Sequence, residues 1–121
     1  MKLKIATALL LLTAVSAMAA DASNADINKS WKLTLYHATR VGSALLPAGE
    51  YKVQHLKDGG QHVLVFKADK KEMARVGCTM ESLPKKTAMT TVLENKNDAG
   101  EQVLISIAFE GDTVQHDLVN P

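Results

Sequence analysis

The chain has 121 residues, 46% hydrophobic and 22% charged, with Lys+Arg 14 against Asp+Glu 13, which fits one ordinary globular domain. Only 4% of residues are aromatic and the formal charge is +1, so the basic field and stacking surfaces of a nucleic-acid binder are missing. Disordered and collagenous compositions are excluded on the same numbers.

The N-terminus reads as a secretory signal peptide over residues 1–19. Lys2 and Lys4 supply a positive region, Ile5 to Val15 an apolar run broken only by Thr7 and Thr13, and Ala17-Met18-Ala19 a small-x-small cleavage pattern. The competing reading is a retained anchor. It fits poorly, because spanning hydrocarbon takes about 20 apolar residues, and the far flank carries Asp21 and Asp26 rather than a basic stop. A secreted or periplasmic location is therefore expected, with no integral membrane segment after cleavage. Removal of Lys2 and Lys4 turns the formal charge from +1 to −1, which suggests neither polyanion nor anionic-membrane binding. Residues 20–29 are polar and aperiodic and read as a flexible lead.

From Ser30 onward, short runs rich in β-branched residues alternate with turn residues. Eight strands are expected, at Trp31–Ala38, Val41–Leu46, Glu50–Lys57, Gln61–Ala68, Glu72–Met80, Thr87–Asn95, Glu101–Phe109 and Thr113–Val119. Leu46-Pro47-Ala48-Gly49 suits a type I turn, with Pro at its second position. Asp58-Gly59-Gly60-Gln61 suits a two-residue hairpin loop, which pairs His55 with Leu64 and Val53 with Phe66. Gly111-Asp112 suits a II′ loop that pairs Ile107 with His116. The segment Asp69 to Met80 also holds good helix formers, but Ala74, Val76, Cys78 and Met80 alternate, which favours a strand.

The expected fold is all-β: an eight-stranded up-and-down barrel or flattened barrel of the lipocalin-like type, with a two-sheet β-sandwich as the alternative. Alternation places Leu33, Leu35, Tyr51, Val53, Leu64, Phe66, Val76, Ile105, Ile107, Phe109 and Val114 on the interior, where they could line a site for a small apolar ligand.

A simple meander would bring His37, His55, His62, His116 and Cys78 to one end of the barrel, each in phase with inward neighbours. Imidazole and thiolate are the usual ligands of Zn²⁺ and Cu, so these five form a conditional metal site. No pair has the close spacing of a dedicated motif, however, and a solvated histidine rim where an apolar interior meets water is the preferred reading. Cys78 is the only cysteine, which rules out an intramolecular disulfide and suits a small buried hydrophobe.

No catalytic constellation emerges. Gly42-Ser43 lacks the second glycine of a nucleophile elbow, and His116 and Asp117 point to opposite faces of one strand. Glu50, Glu81, Glu94 and Glu110 offer no evident acid–base pair. The expectation is a non-enzyme that binds a small apolar molecule or an envelope protein, with metal binding or a structural interaction module as alternatives.

The stretch Val41-Gly42-Ser43-Ala44-Leu45-Leu46-Pro47-Ala48-Gly49-Glu50-Tyr51-Lys52-Val53 resembles a motif of small exported bacterial β-proteins, in which V-G precedes L-P-A-G-x-Y-x-V. The resemblance implies export and a β-fold. It carries over no catalytic or binding residue.

Overall fold

The computed structural model describes residues 27–121. The expected signal peptide and the first part of the lead lie outside the described residues. Nine strands form: β1 (Ser30–Leu35), β2 (Thr39–Val41), β3 (Ala44–Leu46), β4 (Gly49–Asp58), β5 (Gln61–Ala68), β6 (Lys71–Ser82), β7 (Thr91–Lys96), β8 (Gln102–Ala108) and β9 (Val114–Leu118). The chain is all-β, and among the described residues no helix is long and apolar enough to cross a membrane.

The strands run in the order β1-β4-β5-β6-β9-β8-β2-β3, with β7 on the remaining edge of β8. The sheet folds over on itself at β6. Lys71–Gly77 of that strand pairs with β5, and Cys78–Ser82 pairs with β9, so one long strand serves two packed layers. The sheet does not close into a barrel, and a flattened barrel or sandwich describes it.

The order differs from the expected meander for two local reasons. Tyr36–Ala38 carries the chain across from β1 to the second layer, where β2 lies parallel to β8 through Thr39↔Gln102 and Arg40↔Val103. The expected strand Val41–Leu46 is instead split by a tight turn, with Val41 paired to Ala44. Gly42, at φ 60, permits that turn, and its α-carbon faces Val76, leaving little room for a larger residue.

Both glycine-bearing hairpins keep the expected register. Val53↔Phe66 and His55↔Leu64 pair across β4 and β5, and Ile107↔His116 across β8 and β9. The second loop is longer than the expected two residues. Asp112 N–H donates to Phe109 O with Gly111 at φ 81, and the loop backbone is also bonded to Thr87. Thr87–Thr90 is thereby held out of the strand expected there, and β7 begins at Thr91. The helical alternative at Asp69–Met80 does not form; Asp69 and Lys70, at φ 51 and 67, make the turn into β6.

The core draws on both layers: Leu33, Leu35, Tyr51, Val53, Leu64, Phe66, Ala74 and Val76 pack against Val41, Leu46, Leu104, Ile107, Phe109 and Leu118. Of the interior residues expected from alternation, Ile105 is the exception. Leu93 faces Ser106 while Glu94 faces Leu104, so Ile105 is an extra residue in β8. This bulge reverses the phase and puts Leu104 in the core in its place. Strand β5 is buried on both faces, Val63 and Val65 included. Over the outer face, Arg75 of β6 reaches across β5 to Asp58 of β4 at 3.3 Å, and Lys67 reaches Gln54 at 3.4 Å. Asn28 and Lys29, expected in a flexible lead, are bonded through their backbones to His55 at 2.7 and 2.9 Å.

Candidate functional site

Three of the five expected metal-site residues come together. His55 follows Tyr51 and Val53 on the inward face of β4, and His116 lies between Val114 and Leu118 on that of β9; both are fully buried. Their rings meet edge to face, with centroids 4.9 Å apart. His62, opposite Lys57 on β5, places Nδ1 3.0 Å from His55 Nε2. One imidazole donates and the other accepts, so a proton occupies the space between the two nitrogens. A shared metal would have to break that bond. Among the described residues, no group of three or more His, Cys, Asp or Glu side chains is arranged to hold a metal ion.

The cluster continues into aromatic rings. His116 lies 5.5 Å from Phe109 and 5.6 Å from Trp31, centroid to centroid, and Trp31 stacks on Phe109 at 4.1 Å with planes 4° apart. Such stacking links β1 of one layer to the end of β8 in the other and fills space between the sheets. Trp31 was absent from the interior set read from sequence, although it is in phase with Leu33 and Leu35. Cys78 is buried in the core cluster, facing Leu118 across β6 and β9.

His37 goes elsewhere. Strand β1 ends at Leu35, so the alternation that aimed His37 inward has stopped before reaching it. Its Nε2 instead meets Glu94 Oε1 at 2.7 Å, joining the end of β1 to β7. These two strands are the facing edges of the unclosed sheet. β1 pairs only with β4 and β7 only with β8, and between them runs a groove of about 290 Å³. Leu33 and Leu35 form part of its wall, with Tyr36 and Val92 beside them. Tyr36, Val92 and Leu93 are exposed apolar side chains at this seam.

Electrostatics near the seam's far end are set by Arg40, whose Nε and Nη2 donate to the two oxygens of Glu101 at 2.9 and 2.8 Å. Bonds from Arg40 and Asn97 hold the Glu101 carboxyl down to about 2. On the outer face of β6 and β9, a hydrogen bond shared with Asp117, together with that residue's like charge, raises the Glu81 carboxyl above its ordinary range. Neither residue lines the groove between β1 and β7.

Comparison with protein-family models, with curated proteins and with solved structures found no match.

Proposed function

We propose that this chain is a non-enzymatic, exported interaction module that accepts an extended segment of a partner protein along the seam between β1 and β7. The observation that carries this reading is the seam itself: two strand edges face each other across a groove of mixed apolar and polar lining, with no ladder joining them. An edge strand offers a row of backbone donors and acceptors that another strand can satisfy, and side-chain pockets at alternate positions then supply selectivity. Leu33, Leu35, Tyr36 and Val92 provide apolar contact of that kind.

Export is supported by the residue pattern of the first 19 positions and by the likeness to small exported bacterial β-proteins around Leu46-Pro47-Ala48-Gly49. A small apolar ligand in the interior has less support, since Trp31 and Phe109 stack where a hollow would be needed. The non-enzymatic reading draws support from the Glu81–Asp117 pair, whose raised carboxyl stands on an exposed strand face.

Site-specific photo-crosslinking in the native compartment tests the proposal. A crosslinker at Val92 should give a discrete protein adduct whose mapped contact is an extended segment, whereas one at Met73, exposed on β6, should not. Identical adduct patterns from the two positions would overturn it.

A further inference from the structure

A concavity of about 680 Å³ lies at β1, β4 and the β5–β6 turn. Its chemistry follows from register. Lys32 pairs with Lys52, and Lys52 pairs with Lys67, so three lysines stand in one row across three adjacent strands. Neighbouring strands are about 4.8 Å apart, which anchors the three side chains within a span of about 10 Å. Lys70, at the turn, adds a fourth ammonium to the same wall.

Like charges directly opposite one another destabilise a sheet, and this row contains two such pairs in succession. The protein offsets them only in part. Glu50 approaches Lys32 at 3.8 Å with both side chains mostly exposed, a weak pairing, and Lys67 reaches Gln54 and faces Glu72, whose carboxylate is already engaged by Arg75. No acidic partner of Lys52 or Lys70 is found among the described residues. The part of that cost left standing at the floor of this groove is what an anionic ligand would remove.

The type of anion follows from which cations are present. The chain has two arginines, and both are committed elsewhere, Arg40 to Glu101 and Arg75 to Glu72 and Asp58. The planar fork that recognises a carboxylate in two-pronged fashion is therefore absent from the groove. Lysine ammonium groups act as point charges, which suits the tetrahedral, multiply charged phosphate group. A single phosphate cannot reach the whole row, whereas adjacent phosphates can contact Lys32, Lys52 and Lys67 together. We propose that this groove is a binding site for a small ligand carrying two or more linked phosphate groups, held by Lys32, Lys52, Lys67 and Lys70. The site shares Lys32 with the wall of the seam groove, but Lys52, Lys67 and Lys70 lie outside that groove, and the assignment does not rest on the seam reading.

Calorimetric titration and thermal melting of the purified protein with sodium tripolyphosphate test the assignment. Tripolyphosphate should bind saturably and raise the melting temperature in a phosphate-free, non-coordinating buffer. Lys52→Gln and Lys67→Gln should each weaken binding about tenfold, the scale of one lost charge-assisted contact. Glu50→Gln should tighten binding, because it removes a repulsive charge from the groove. Lys96→Gln, an exposed change on β7, should leave binding unaltered. Without ligand, Lys52→Gln should melt no lower than the parent protein, since it relieves the row, so weaker binding by that variant is not a folding defect. The proposal is overturned if tripolyphosphate gives no saturable signal, if Lys52→Gln and Lys67→Gln bind as Lys96→Gln does, or if Glu50→Gln binds more weakly.

Discussion

Tyr51 shows how much a single side chain can account for in a short motif. In Leu46-Pro47-Ala48-Gly49-Glu50-Tyr51, its hydroxyl donates to Pro47 O at 2.6 Å, closing the corner that carries the chain from β3 into β4. The corner is a bend at Ala48 rather than the type I turn expected from the proline, and the tyrosine supplies the tie. Burial raises the Tyr51 hydroxyl above its ordinary value, which keeps it a donor. The Arg40–Glu101 fork makes a second tie, between β2 and the approach to β8. Glu101 has a carboxyl at about 2 in the folded chain against 4.5 for the free group, so the depressed value contributes stability at pH above 4.5. That contribution fades as pH falls toward about 2. Urea midpoints of the parent protein and Glu101→Gln should therefore differ at pH 6 and converge near pH 2.5; a constant gap would show that the fork is not responsible. The inward phase of His55 and His116 was readable from their neighbours on the strand. The diversion of His37 was not, because it depends on where β1 stops.

Strands were legible as elements, and their irregularities were not. Period-two patterning identified β1, β4, β5, β6, β8 and β9 to within a few residues, and the Gly-Gly hairpin set the β4–β5 register through its loop length alone. The Gly42-Ser43 hairpin had a readable signal in a Gly-Ser dipeptide between Val41 and Ala44, yet its strands are three residues each, too short for alternation to assert itself. The bulge in β8 had none, because Leu104 and Ile105 are interchangeable by hydrophobicity and only pairing with β7 decides which turns inward. Leu104→Ala should thus cost about 2 to 5 kcal/mol in chemical denaturation, and Ile105→Ala less than about 2 kcal/mol. The reverse ranking would mean that the bulge is placed at the wrong residue.

At the scale of the whole molecule, the two layers share β6 and leave three strands, β1, β3 and β7, each paired on one side only. Local opening should begin at such edges, where fewer contacts hold each backbone bond. Amide hydrogen exchange is expected to be fastest in β1, β3 and β7 and slowest in β5 at Val63–Phe66, which is flanked by strands and buried on both faces. Equal protection of β1 and β5 would mean that the seam is covered in the free protein. The lysine groove belongs to this scale as well. Net charge near zero argues against anion binding when averaged over the chain, but register collects three like charges into one row.

Residue order alone determined that this chain pairs extended segments around an oily interior, because alternation and glycine turns act over a few neighbouring positions. It also determined the inward phase of His55 and His116 within their own strands. Tertiary structure decided that β2 lies beside β8, that the sheet stays open between β1 and β7, and that Lys32, Lys52 and Lys67 align. Those outcomes depend on free-energy differences between packings of segments far apart in the chain, to which no local pattern is sensitive.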